Sequence, residues 1–125
     1  MKTYTVRKAS RVSVQCQFCY FGDGILAHGT IWDLSERGWR ATGTHPVEVG
    51  TECTVTITIK DGEQSRNILI DEAIVRWSEG RHTGWEIIKM DPAAREHLQE
   101  YLMDFIEQFM ATPSAHDTME EIRSY

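Results

Sequence analysis

Cys53, Thr54, Val55, Thr56, Ile57, Thr58 and Ile59 follow one another without interruption, and Lys60 then leads into Asp61-Gly62. Every second residue is apolar and the residues between are threonine. That period of two sends alternate side chains to opposite faces of a β-strand. β-Branched residues stand on both faces, which suits a pleated, half-buried surface. Asp-Gly is a hairpin-turn signal, so another antiparallel strand is expected after it.

The same period recurs on either side. Val12, Val14, Cys16, Phe18 and Tyr20 alternate with Ser13, Gln15, Gln17 and Cys19, and Gly22-Asp23-Gly24 then supplies a turn. Further strands are expected at 27–34 and 39–42, separated by Ser35 to Gly38. Beyond the central stretch they are expected at 68–77 and 83–90, joined by Ser78-Glu79-Gly80-Arg81. Many short antiparallel strands at this spacing predict a mainly β fold and a small barrel, whose closure leaves no exposed edge.

After residue 90 the period changes. Asp91 is a good N-cap and Pro92 a good first helical residue. Leu98, Tyr101, Leu102, Phe105, Ile106, Phe109 and Met110 then recur at three- and four-residue steps, one apolar stripe of a helix ending near Ala111, before Thr112-Pro113. The stripe needs a surface to cover. Packing on the barrel's own core is the favoured reading, and a dimer seam the alternative. The expected organisation is a basic arm over 1–11, a barrel over 12–90, a long C-terminal helix over 91–111 and a tail over 112–125 that frays or stays flexible.

Composition sets bounds on function. A chain of 125 residues suits one domain with a real core. No apolar run approaches the roughly 20 residues of a membrane helix, and the first residues lack the apolar stretch of a secretory signal, so no membrane insertion and a cytoplasmic location are expected. Three cysteines, Cys16, Cys19 and Cys53, make no disulfide framework. Cys16 and Cys19 form a C-x-x-C, but three-residue spacing on a strand points them to opposite faces and no second ligand pair follows, so packing cysteines and no metal site are expected. The net charge of -6 is uneven: residues 1–90 hold 11 Lys or Arg and 11 Asp or Glu, whereas residues 91–125 hold 2 and 8. Residues 12–90 hold 7 basic residues against 11 acids, which argues against DNA or RNA as a partner. The first 11 residues carry Lys2, Arg7, Lys8 and Arg11 with no acid, a match for a small, local anion.

Two short motifs carry chemistry. The first is Arg7-Lys8-Ala9-Ser10-Arg11, just before the first strand. In an extended chain its arginines lie roughly 13 Å apart on one side, and a bend brings them into a two-pronged grip. A guanidinium fork binds phosphate bidentately, reads the O6 and N7 edge of guanine, and stacks on bases. A solvated basic arm is the plainer alternative. The second is Asp33-Leu34-Ser35-Glu36-Arg37-Gly38, at the turn between two strands. A carboxylate accepts hydrogen bonds, as the N–H groups of a guanine edge require, and the hydroxyl of Ser35 adds a donor or acceptor. Gly38 permits a positive φ or close approach of a ligand. An Asx- or Ser-type turn closed by glycine is the alternative. No Ser/His/Asp setting, Walker or Rossmann glycine pattern or paired metal ligands point to catalysis, and His28 and His45 are scattered, so no enzyme is expected.

Taken together, with 21 residues between Arg11 and Asp33, the two motifs are more specific than either alone. Here the chain resembles the PilZ domain family over about residues 5–103. Ala73-Ile74-Val75-Arg76-Trp77 and Gly84-Trp85-Glu86-Ile87 resemble the family's closing strand pair. The resemblance implies a six-stranded antiparallel β-barrel with a C-terminal helix, and a receptor for cyclic di-GMP that needs no further cofactor. Carried over by position, it implies that Arg7 and Arg11 contact phosphate and guanine and that Asp33, Ser35 and Gly38 contact the nucleotide's other end. Lys8, Arg37, Trp39 and Arg40 are candidates for added contacts, although core or rim packing suits Trp39 better. Val6 stands where many members carry a basic residue, which favours one ligand per chain over two. The resemblance further implies that the arm orders on binding and regulates a protein partner, with motility, polysaccharide or attachment as outputs, in a monomer or homodimer. The alternative is a nucleotide-independent interaction module of the same fold.

Overall fold

The computed structural model describes residues 12–61 and 63–110. The expected arm and tail, and with them Arg7, Lys8 and Arg11, lie outside the described residues. Within them the elements are β1 (Val12–Gly22), β2 (Ile25–Leu34), β3 (Gly38–Gly43), β4 (Glu52–Asp61), β5 (Gln64–Glu79), β6 (His82–Lys89) and α1 (Pro92–Met110). The six strands close into an antiparallel barrel in the order β1-β2-β3-β6-β5-β4, with β4 pairing back onto β1. The expected mainly β, six-stranded barrel with a C-terminal helix is therefore what forms.

Cross-strand pairing explains where the strands outrun the period seen in the sequence. β1 and β2 extend through the pairs Phe21↔Leu26 and Gly22↔Ile25. The two residues left, Asp23 and Gly24, both take positive φ (51° and 75°). This is a tight two-residue hairpin of the kind whose twist matches right-handed strands. β5 runs from Gln64 rather than 68, paired along β4 down to Asp61↔Gln64. It also carries register shifts between Glu72 and Ala73 and between Val75 and Trp77 against β6.

Inward positions fill the barrel as the alternation requires. Ile31, Leu34, Ile57, Ile68, Ile70, Val55 and Val75 are fully buried. Phe18, Tyr20, Trp39 and Trp85 form an aromatic centre. Trp39 and Trp85 stack with centroids 5.7 Å apart and planes 13° apart, and the edges of Phe18 meet both at 5.9 and 5.8 Å. Such pairs contribute about 0.5–1.5 kcal/mol each beyond area burial.

The helix's stripe is used by the barrel. Leu98 and Leu102 are buried in the common core, and Ala94, Tyr101, Phe105 and Ile106 pack against it, with β5 and β1 the strands beneath. Asp91 caps the helix by accepting a hydrogen bond from the Ala93 amide at 3.0 Å. No described helix is long and apolar enough to cross a membrane.

Cys16 is buried and Cys19 exposed, as three-residue spacing on a strand demands, so the two thiols do not converge. Burial pushes the thiols of Cys16 and Cys53 above their usual range; the hydroxyl of Tyr101, 3.8 Å from the Cys16 sulfur, partly opposes this for Cys16. A thiol reagent should therefore modify Cys19 in the native protein and reach Cys16 and Cys53 only on unfolding, read as labelled sites by mass spectrometry. Leu98→Ala should lower stability by about 2–5 kcal/mol in urea titration, because it opens a cavity in a closed core. The exposed Met103→Ala should stay within about 0.5 kcal/mol.

Candidate functional site

The second motif spans the end of β2, the turn after it and the first residue of β3. Asp33 faces outward beside Arg40, its direct partner on β3. The Arg40 Nε donates to Asp33 Oδ2 at 2.9 Å, with the Asp33 side chain 18% exposed and that of Arg40 43%. The carboxylate is thus oriented by a neighbour that itself reaches solvent.

Ser35 is buried, and its hydroxyl is committed to the turn. Its Oγ accepts from the amides of Arg37 (3.1 Å) and Gly38 (3.2 Å) and donates to the Gly38 carbonyl (3.2 Å). The Ser35 amide donates to the same carbonyl at 2.9 Å. One donor and two acceptors exhaust what a hydroxyl offers, so here Ser35 shapes the turn. Gly38 is absent from the positive-φ residues. Its lack of a side chain answers to space: a Cβ would lie 1.9 Å from the Trp85 carbonyl oxygen. β6 approaches so closely that only glycine fits, and the Ile87 amide also donates to the Arg37 carbonyl at 2.8 Å.

Of the further candidates, Arg37 is exposed on the turn and Arg40 lies beside Asp33. Trp39 offers no face to a ligand. At 0% exposure it belongs to the aromatic centre, turned inward opposite to its outward neighbour Arg40 and paired with Trp85.

Register brings the start of β1 to this motif. Val12 and Ser13, the first described residues of β1, pair with Leu34 and Asp33. The described end of β1, at Val12, therefore lies beside the Asp33 motif. Val12 and Asp33, far apart in the sequence, become neighbours because one hairpin folds back on itself.

A residue taken from the sequence only as part of a strand pair also borders the site. Asp33 pairs with Arg40, Arg40 with Gly84 and Gly84 with Trp77, a single row across β2, β3, β6 and β5. The Trp77 indole lies flat over Gly84, where a Cβ would meet it at 2.0 Å, yet Trp77 stays 41% exposed. A partly exposed indole thus lies on the row that begins at Asp33, across Gly84 from Arg40. Alternation continued from Ala73 and Val75 would turn Trp77 inward. The register shift between Val75 and Trp77 turns it out instead, and nothing local marks that shift. Among the described residues no cluster of His, Cys, Asp or Glu is arranged to hold a metal ion.

The family model described as PilZ domain matches residues 5–104. Among solved structures, the chain is similar to the Bacillus subtilis inhibitor of motility, MotI/DgrA, with a TM-score of 0.66 at 15% identity. The match covers 82% of this chain and 51% of that one, so this chain spans about half that protein's length. The likeness is one of fold. No curated protein matches the sequence.

Gly38→Ala should destabilise the barrel by about 1–3 kcal/mol, the usual cost of forced overpacking, because the atom it meets is backbone and has no rotamer to change. Ser35→Ala should cost about 1–3 kcal/mol by leaving the buried Gly38 amide, and the part-buried Arg37 amide, without their acceptor. Urea unfolding of both variants checks these values.

Proposed function

We propose a receptor function from a plain premise: the chain belongs to the PilZ domain family, whose model matches residues 5–104. The ligand is cyclic di-GMP, two phosphates and two guanines in one ring. The observation that supports the reading is the register of Val12 and Ser13 on Leu34 and Asp33, which puts the described end of β1, the residue that follows Arg11 in the sequence, beside the carboxylate motif.

Each residue then has a role suited to its chemistry. Arg7 and Arg11 supply bidentate donors for phosphate and guanine acceptors. Asp33, oriented through Oδ2 by Arg40, accepts from the guanine N1–H and N2–H groups. Ser35 and Gly38 hold the turn that sets the Asp33 carboxylate in place. Trp77 offers a base its open face, a contact that tolerates any base and so adds affinity more than selectivity. Lys8, Arg37 and Arg40 add positive charge around the phosphates. With Val6 before the arm motif, one ligand per chain is the expected stoichiometry.

Binding orders the arm over the barrel and changes the surface offered to a protein partner, a recognised kind of switch. Motility, surface polysaccharide or attachment is the process regulated. Similarity in fold to an inhibitor of motility favours the first. The protein acts as a cytoplasmic adaptor and catalyses no reaction.

Calorimetric titration with cyclic di-GMP tests this, with GTP and cyclic di-AMP as controls. Arg7→Ala, Arg11→Ala and Asp33→Ala should each weaken binding at least about tenfold, the cost of a lost charged hydrogen-bond partner. Trp77→Ala should weaken it by about 1–3 kcal/mol through lost stacking. Absence of binding by folded wild-type protein would replace this reading with the nucleotide-independent interaction module.

A further inference from the structure

The turn of the second motif is held from two sides, and only one of them is the barrel. On the barrel side, β6 presses against Gly38 and donates to the Arg37 carbonyl. On the other side stands α1. Arg95 Nη1 donates to the Glu36 backbone carbonyl at 3.4 Å, and Gln99 Nε2 donates to Glu36 Oε1 at 3.0 Å. Arg95 and Gln99 are four residues apart and so share one face of the helix. Between them in sequence is Leu98, fully buried in the barrel core. The same stretch of α1 is therefore anchored by apolar burial and joined to the turn by polar bonds.

Glu36 occupies a motif position to which neither the sequence pattern nor the reading above gives a part. It lies between Asp33 and Gly38 in a turn that Ser35 has stiffened with its whole hydrogen-bonding capacity. Glu36 lies inside the turn those bonds close, and Asp33 two residues before Ser35 at the end of the strand that enters it, so the two are linked through Ser35. We infer that Arg95 and Gln99 are positioning residues of the nucleotide site, and that through Glu36 the seating of α1 and the occupancy of the site are coupled. This rests on the receptor reading and adds the route by which occupancy reaches another surface. Coupling of two equilibria is reciprocal. A helix bonded to the turn favours binding, and a bound ligand holds the helix on the barrel. α1 belongs to the C-terminal region that carries the chain's net negative charge, so the outward surface whose mobility the ligand controls is acidic.

Cyclic di-GMP affinity and hydrogen exchange of the α1 amides, measured on the full chain, test the coupling. Gln99→Glu sets a second carboxylate against that of Glu36 and should weaken binding roughly three- to tenfold, the worth of one hydrogen bond. The exchange Glu36→Gln with Gln99→Glu restores a donor facing an acceptor and should recover the affinity, a rescue that loss of helix stability alone would not produce. Arg95→Ala should weaken binding while Arg66→Ala, whose 4.0 Å contact with Glu100 ties the same helix to β5, should not. Ligand should slow exchange across 95–106 in wild type, and less so in Gln99→Glu. Unchanged affinity in folded Gln99→Glu and Arg95→Ala, failure of the double exchange to rescue, or α1 exchange indifferent to ligand would overturn the coupling and leave the receptor reading standing. No binding by wild-type protein would overturn both.

Discussion

The barrel closes where β3 meets β6, and the close approach of these two strands sets the geometry around it. β3 has six residues, and it closes one meander, β1-β2-β3, onto the other, β4-β5-β6. The closure is made by Trp39 and Trp85, direct partners in register whose indoles stack inside the barrel. Gly38 lets the backbones come within reach, since any side chain there would strike the Trp85 carbonyl. The approach has a cost: Trp39 Nε1 is buried with no hydrogen-bond partner among the described residues. An unmet donor of this kind costs about 1–3 kcal/mol. Burial of two large rings among Phe18, Tyr20 and the aliphatic core offsets it.

The candidate site is a consequence of that closure on the outer surface. The turn that ends β2 must deliver the chain to Gly38 at a fixed height over β6, and Ser35 achieves this with three side-chain hydrogen bonds. Asp33 and Arg40 face out on either side of the turn because Leu34 and Trp39 face in. Across the closure, Gly84 makes room for the Trp77 indole. Glycines at 38 and 84 thus serve close approach, one of backbone to backbone and one of an aromatic ring to backbone. Neither needs an unusual φ.

Much of this is legible in the residues themselves. The threonine-interleaved stretch 53–59 becomes the middle of β4, and Val12 to Tyr20 becomes most of β1. Asp91-Pro92 starts α1, and the stripe from Leu98 to Ile106 faces the barrel. Asp33, Ser35 and Gly38 do sit together at one turn. What their side chains do there was less legible: a serine in a turn reads alike whether its hydroxyl is free or spent, and a glycine reads alike whether it answers to φ or to a neighbouring strand. For Gly38 the distinction lies in β6, some fifty residues away in the chain; for Ser35 it lies in how the turn closes on Arg37 and Gly38.

By itself the sequence determined the elements, their turns and the inward residues of most strands, because period, β-branching, caps and turn chemistry act between near neighbours in the chain. It also determined the chemical types in the two motifs. What needed the folded chain is that Trp77 lies on the surface, that Gly38 is demanded by Trp85, and that Glu36 is held by Arg95 and Gln99 of a helix about sixty residues further on. The physical reason is register. A single bulge between Val75 and Trp77 reverses which face a side chain takes. The energy that places such a bulge comes from partners across the barrel, which no local pattern contains.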